Sequence, residues 1–245
     1  MIHFPPIRTR RLTVQLKELS IGESIALAAI PTHLEEAACT AFLGKCVDTV
    51  KGEQDPASWT AQERMLVVCH YLACVSGGNP DFEVGEGHYS DYLDGTCDIQ
   101  TPVADIEVGE VGGDAWHVRH LTGAMAESIE RTSGEIEGVA GRLHWLLGGM
   151  AAQLIRPNEA TPVGTEGEFD EFLVGRMKVI SGYPESDFAS LMGKYQEGRE
   201  KLHHLFKIEF SNDGLIALPK GGGDLPPGRF PVRSCLSRMA LEMGR

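Results

Sequence analysis

The sequence predicts an α+β fold that is predominantly α-helical, with short strands and two small β-hairpins. Three Ser or Thr residues near the start of the chain are each followed three positions later by Glu, the spacing of a helix capping box. Two stretches, 103–121 and 206–218, alternate apolar and polar residues on both sides of a turn-rich segment, which predicts the hairpins. With 245 residues, 42% of them hydrophobic, the chain can bury a substantial core.

The N-terminal third is predicted to be one strand followed by three helices. Leu12, Val14 and Leu16 alternate with polar residues, which predicts a half-buried strand over 11–17. The helices are expected to begin at capping boxes and to end near Ile30, Val47 and Ser76. The three boxes are Ser20 with Glu23, Thr32 with Glu35, and Thr60 with Glu63. The third helix is apolar nearly all round from 65 to 75, so we expect it at the centre of its domain.

The middle of the chain is predicted to be a loop followed by the first hairpin. Residues 77–101 are interpreted as loop-like, with one helical turn around Tyr89, Tyr92 and Leu93. The hairpin strands are expected at 103–108 and 116–121, with the turn at 109–114. Thr122 is expected to cap the next helix.

The C-terminal part is predicted to be helical around the second hairpin. Apolar residues at helical spacing predict one helix that ends before Pro157 and two more over about 169–180 and 188–205. The second hairpin turns at 212–214, and the Gly- and Pro-rich segment 221–228 is expected to be a mobile loop before a last short helix. We predict two parts, 1–100 (N-terminal strand plus helical part) and 101–245 (hairpin plus helical part), packed as one body.

Composition disfavours two classes of partner. The 22 basic and 35 acidic residues give a net charge of −13, so counterion release from nucleic acid and attraction to anionic lipid are both disfavoured. The longest apolar runs, such as 25–30 and 65–69, fall short of the ~20 residues of a membrane span. The first residues lack the long apolar stretch of a secretory signal. We therefore expect synthesis in a cytosol, with no nucleic acid and no membrane as partner.

The candidate metal ligands are His70, Cys74, His88 and Cys97. His70 and Cys74 lie four residues apart on one helical face, and the other two follow downstream. The six cysteines contain no C-x-x-C pair, which speaks against a zinc ribbon or a thioredoxin-like motif. Burial of the cysteines as small hydrophobic residues explains the helix equally well. We therefore predict no metal site, and a metal-binding site near these four residues is the alternative hypothesis.

Other motifs that suggest chemistry are better explained structurally. His117 and His120 on a strand point to opposite faces, and His203 and His204 on a helix diverge by about 100°, so both pairs are expected to be polar-face residues. The acidic pairs 35–36 and 170–171 are expected at helix starts, where the helix dipole favours negative charge. Neither a phosphate-binding glycine motif nor a nucleophile elbow occurs in the sequence. We expect no catalytic residues, no cofactor and no enzyme activity.

The N-terminal 95 residues contain a strand at 11–17, the segment Leu19-Ser20-Ile21-Gly22-Glu23 with its helix, and a later helix that begins Thr60-Ala61-Gln62-Glu63-Arg64. In these motifs and their order this part of the chain resembles tail-assembly and baseplate proteins of tailed bacteriophages. These motifs are short, and a capping box alone also occurs in unrelated helical proteins. No functional residue is carried over, because the matching positions are those that determine a fold.

The resemblance implies a non-catalytic structural or assembly component of a phage tail, in the baseplate or tail-tip region. The expected partners are other tail proteins and copies of the chain itself in a ring, with assembly in the host cytoplasm and a final place in the virion tail. The length of the chain after Gly95 favours a permanent part over a transient chaperone. The alternatives are a metal-binding protein or small-molecule enzyme with a site near His70, Cys74, His88 and Cys97, and a regulatory binding module.

Two segments are predicted to bridge to partners. Residues 1–7 and 225–232 each combine apolar side chains with a Pro-Pro pair, and neither has the pattern of a core strand or helix. Prolines lower the ordering entropy that binding must overcome. We therefore expect both segments to be mobile in the isolated chain, with residues 1–7 dispensable for folding.

Overall fold

The fold is a mixed α+β arrangement in which eight helices are combined with four small antiparallel sheets, counted over the described residues. The structure, a computed structural model, describes residues 2–77, 79–95, 105–162, 166–222 and 224–244. Helices account for 47% of the described residues and strands for 20%. The prediction that the fold is predominantly helical was therefore wrong: besides the two predicted hairpins, further short strands form where no alternation indicated them.

Two compact units make up the chain. The first consists of the described parts of Met1–Ile99, His204–Glu209 and Leu215–Arg245, and the second of those of Gln100–His203 and Phe210–Gly214. In the described residues no helix is both long and apolar enough to cross a membrane.

The first unit begins with a three-stranded antiparallel sheet. Its strands are β1 (Ile7–Arg8), β2 (Thr13–Leu16) and β3 (Val47–Lys51), with β2 in the middle. Leu12, Val14 and Leu16 are buried, as the alternation predicts. Three helices follow the order predicted: α1 (Ile21–Ala28), α2 (Glu35–Cys46) and α3 (Ala61–Val75).

Two of the three predicted capping boxes form. Ser20 and Thr60 each accept a hydrogen bond from the backbone N–H of the Glu three positions on, and that Glu accepts one from the cap backbone in return. The box predicted at Thr32 and Glu35 was wrong, because α2 starts after Leu34 and has no side-chain cap. The Leu34 N–H donates to the Pro31 carbonyl, and this turn delays the first helical residue. The position of α3 at the centre of the core is confirmed, since none of its residues from 65 to 75 is exposed.

The prediction that residues 1–7 form a mobile arm was wrong. Phe4 is 4% exposed and its ring stacks on Tyr71 at a centroid distance of 5.0 Å, while Ile7 is buried in the same core. The segment gains its order from distant residues: Gln15 Nε2 donates to the Phe4 carbonyl, and β1 pairs with β2.

The prediction for residues 225–232 was wrong for the same reason. The Phe230 ring contacts four other aromatic rings, those of Phe82, Tyr89, Tyr92 and Phe206, at centroid distances of 5.8–6.3 Å. Val232 is buried in the core of the unit. Both segments are therefore structural parts of the first unit.

Short strands complete this unit where the sequence suggested a loop. They are β4 (Glu83–Val84), β5 (Gly87–His88) and β6 (Leu93–Asp94). β6 pairs with β10 (Leu205–Ser211), which forms the predicted second hairpin with β11 (Gly214–Leu218). The predicted helical turn is a 3₁₀ turn at Tyr89–Asp91, and the last helix is α8 (Arg238–Met243).

The second unit packs four helices with a three-stranded sheet. The strands are β7 (Ile106–Val111), β8 (Asp114–Val118) and β9 (Leu154–Ile155), and the helices are α4 (Gly123–Arg131), α5 (Gly141–Gln153), α6 (Glu166–Ser181) and α7 (Glu185–Lys201). The first hairpin is confirmed over the described residues, with Thr122 as the cap of α4; residues 103 and 104 of the predicted first strand lie outside the described residues. Its turn is shorter than predicted, because Gly112 and Gly113 both adopt positive φ and reverse the chain in two residues.

Two of the strands that were not predicted lie directly after helices. Val47 was expected to end a helix and Leu154–Ile155 to continue one, but Val47–Lys51 and Leu154–Ile155 each follow a helix directly as a strand. Strands of two to five residues are too short to show a reliable alternation, and partners elsewhere in the chain stabilise them.

Candidate functional site

The candidate metal ligands do not assemble into a site in the part of the chain that the structure describes. His70 Nε2 lies 4.0 Å from Cys74 Sγ and 2.9 Å from the Pro5 carbonyl oxygen. Burial lowers the pKa of His70 and raises that of Cys74, so both favour their neutral forms. His88 is exposed on β5, and Cys97 lies outside the described residues. Among the residues described, no three His, Cys, Asp or Glu side chains are placed to hold a metal ion.

Of the histidine pairs, His203 and His204 differ from the prediction. They follow the end of α7, and His204 is 3% exposed, with Nε2 2.9 Å from Thr60 Oγ1. This buried contact joins the cap of α3 to a residue 144 positions later in the chain. The expectation of a polar-face residue was wrong for His204, because its partner lies far away in the sequence.

The acidic pairs have structural partners. Glu35 starts α2 as expected, but its Oε1 accepts from the Val232 backbone N–H at 2.6 Å. Burial raises the Glu35 pKa to about 7. Asp170 lies inside α6 rather than at its start, where it accepts hydrogen bonds from Ser128 and Arg131, so its expected place was wrong.

The start of α3 is a buried polar cluster. Glu63 is 1% exposed, with Oε2 3.4 Å from the Arg11 guanidinium, and the Arg64 guanidinium donates to the Glu36 carbonyl at 2.8 Å. Each charge is offset by an opposite charge or a carbonyl dipole, as buried ionic groups require. The cluster ties Arg11, which precedes β2, to α2 and α3, so we assign it to folding.

The second unit contains a cavity of about 250 Å³ between α6 and the end of β8. Its described wall consists of seven residues: Trp116, Phe172, Val179, Ile180, Gly175, Arg156 and Arg176. Trp116 forms the buried floor, whereas Val179 is 51% exposed and lies at the rim.

Two guanidinium groups pack on the aromatic wall of this cavity. The Arg156 and Arg176 guanidinium carbons lie 5.0 Å and 5.5 Å from the centre of the Trp116 ring, within cation–π distance. Arg176 is buried, donates to the Leu154 carbonyl and is paired with Glu159. Its charge is therefore committed to holding α6 against the sheet.

Arg156 is the more accessible of the two arginines. Its side chain is 38% exposed, and Nη2 donates to Asp114 at 2.8 Å. Burial disfavours its charge, but Asp114, Glu159 and Tyr183 together outweigh burial and raise the Arg156 pKa. The second terminal nitrogen of Arg156 lies 4.0 Å from Glu159. The Arg156 charge is therefore shared between two carboxylates, Asp114 and Glu159.

The wall is largely closed by its own residues. Trp116 and Ile180 are 1% and 0% exposed, and the Arg176 guanidinium packs on the rings of both Trp116 and Phe172. None of the described wall side chains is a nucleophile or a base near neutral pH. No local sequence pattern indicates this cavity. The alternation around Trp116 correctly predicted a strand, but nothing local relates it to arginines 40 and 60 positions later.

Comparisons with protein-family models, with curated proteins and with solved structures gave no match to this chain.

Proposed function

We propose that this protein is a non-catalytic structural or assembly component of a bacteriophage tail, in the baseplate or tail-tip region, that acts through protein–protein contacts. Its partners are then other tail proteins and copies of itself. Its place is the virion tail.

The observation that supports this proposal is the order of the N-terminal elements. Strand β2 is followed by α1 with the Ser20 capping box, and later by α3 with the Thr60 capping box and Arg64. These are the elements that carry the resemblance to tail-assembly and baseplate proteins. Thr60 and Arg64 are both almost fully buried, so the shared positions act in the packing of this part of the fold.

The position of the encoding gene is the first test. We expect the gene among tail genes, near the one that encodes the tape-measure protein. A place in a metabolic operon would contradict the proposal.

The second test is genetic and visual. An early stop codon in the gene should leave phage particles without complete tails in electron micrographs, and a plasmid copy of the gene should restore them. The mature virions should contain the chain if it is a permanent part rather than a chaperone. Complete, infectious tails without the gene product would refute a tail role.

A further inference from the structure

We propose that the apolar face formed by α1 and α8 binds the same face of a second copy of this chain, with the two α8 helices antiparallel around a two-fold axis. This face, here called the α1–α8 face, consists of six exposed residues: Ile21, Gly22, Ala26, Ala29, Met239 and Met243. The inference concerns the isolated chain and does not depend on the tail assignment.

Large apolar side chains are exposed on both helices of this face. Met239 and Met243 are 62% and 61% exposed, and Ile21 is 51% exposed. In the part of the chain that the structure describes, the other exposed large hydrophobic residues are Leu143 and Val179, and both belong to the second unit. A single exposed apolar residue is common on protein surfaces, whereas a group of them on two packed helices indicates a surface that a partner covers.

The solvent-facing side of α1 is apolar. Glu23 is the one charged residue in the sequence of α1, and its carboxylate accepts hydrogen bonds from the backbone N–H and the hydroxyl of Ser20 in the capping box. A surface helix normally turns charged and polar side chains to water. The exposed positions of α1 and its C-cap are instead Ile21, Gly22, Ala26 and Ala29.

Helix α8 lies against α1, so the exposed sides of the two helices are neighbours. A Cβ atom at Gly244 would come 2.6 Å from the Ala28 Cβ and 3.0 Å from the Ile25 carbonyl oxygen, which shows how closely the end of α8 approaches α1. Ala240 is buried beneath α8. Met239 and Met243 lie one helical turn apart and form a row that points away from the core.

The charges beside the methionine row match those of a second copy. Arg238 and Glu242 form an adjacent row on α8 and pair with each other at 2.9 Å. When two copies of α8 meet antiparallel around a two-fold axis, each row faces its own copy in reverse order. Arg238 of one chain then lies next to Glu242 of the other, and this contact occurs twice by symmetry. Because no like charges meet, a second copy is the occupant that this surface fits.

Net charge argues against a lipid surface as the occupant. The chain has a net charge of −13, so anionic lipid repels it. The ion pair of Arg238 and Glu242 adds no net charge to the α1–α8 face, so two copies can meet there without local repulsion. Salt screens the remaining repulsion between the two acidic chains and should therefore strengthen their association.

The first test is sedimentation equilibrium of the full-length protein from about 5 to about 500 µM. The α1–α8 face is smaller than the roughly 20–30 residues a side of a standard interface, so we expect a monomer–dimer equilibrium with a Kd on the order of 100 µM. Added NaCl should lower this Kd.

Neutral substitutions test whether the methionines form the contact. Met239→Gln combined with Met243→Gln keeps side-chain length and net charge, and should weaken dimerisation by at least about ten-fold. Leu143→Gln is the matched control, because Leu143 is 46% exposed but lies outside the α1–α8 face, and it should leave the Kd unchanged. Circular dichroism and urea midpoints establish that each variant is folded.

A second arm tests the antiparallel arrangement. Arg238→Glu and Glu242→Arg should each weaken self-association by about ten-fold, because each replaces two attractive contacts between the copies by two repulsive ones. An equimolar mixture of the two variants should regain the wild-type Kd, since each variant then meets opposite charges on the other. The recovery cannot come from α8 alone, because neither variant regains the ion pair within its own helix.

Three results would overturn the proposal. The first is a protein that stays monomeric up to about 500 µM, or a Kd that the folded Met239→Gln and Met243→Gln double variant leaves unchanged. The second is a mixture of the two charge variants that associates as weakly as each variant alone, which would refute the antiparallel two-fold contact. The third is co-sedimentation of the monomer with phosphatidylcholine vesicles that the double variant loses, which would assign the face to lipid.

Discussion

Replacement of Phe4 by Ala tests whether the N-terminal segment belongs to the core. The Phe4 ring is 4% exposed and stacks on Tyr71 at 5.0 Å, and its carbonyl accepts a hydrogen bond from Gln15. A buried Phe side chain removes about 150–250 Å² from water, worth roughly 4–6 kcal/mol at about 25 cal/mol per Å². Since the Ala methyl group retains part of this, the free energy of unfolding should fall by about 3–5 kcal/mol.

The measurement is urea denaturation followed by circular dichroism, with His3→Ala as the control. His3 is exposed next to Phe4 in the chain, so its replacement should change the unfolding free energy by less than about 0.5 kcal/mol. A loss for Phe4→Ala below about 1 kcal/mol would refute the assignment of this segment to the core. It would also restore the hypothesis that residues 1–7 are a free arm for partners. If the loss is as large as expected, deletion of residues 1–7 reports on folding and cannot be used to test binding.

Two further predictions concern pH and close packing. The Glu35 pKa is raised by burial from its ordinary 4.5 to about 7, so the contribution of Glu35 to stability is fully present below about pH 4.5 and is lost as the pH rises towards 7. Glu35→Gln keeps an acceptor for the Val232 N–H, so it should remove this part of the pH dependence and be more stable than wild type at pH 8 by up to about 3 kcal/mol in urea titrations. An unchanged pH profile in the Gln variant would contradict this. Gly198→Ala places a methyl group 2.8 Å from a methyl carbon of Val118, so it should lower the free energy of unfolding by about 1–3 kcal/mol in thermal and urea denaturation. Gly193→Ala lies in the same helix but meets nothing within 4 Å, so its better helix propensity should raise that free energy by about 0.5–1 kcal/mol. Equal effects at both glycines would show that the packing of α7 on the hairpin is looser than the structure has it.

Features that depend on neighbours in the sequence were predicted well. The Ser20 and Thr60 capping boxes form because both partners lie within four residues of each other and act on backbone groups of the same turn. The alternation of Leu12, Val14 and Leu16 was enough to place β2 and its buried face.

Features that depend on distant partners were missed. β6 has two residues and pairs with β10, more than a hundred positions later, so no local pattern predicts it. His204 was expected on a polar surface, but its neighbour is Thr60. The same holds for the cavity, where Trp116, Arg156 and Arg176 come from a strand, the residue after another strand and a helix.

The sequence by itself determined where most helices and both hairpins form, because capping, helical spacing and tight turns are interactions between residues a few positions apart. Only the tertiary structure decided that Phe4 belongs to the core and that Phe230 packs among four other aromatic rings. It also decided that the described residues form four sheets and that two arginines pack on Trp116. Burial and strand pairing join residues that are remote along the chain, and the free energy they contribute depends on which surfaces meet.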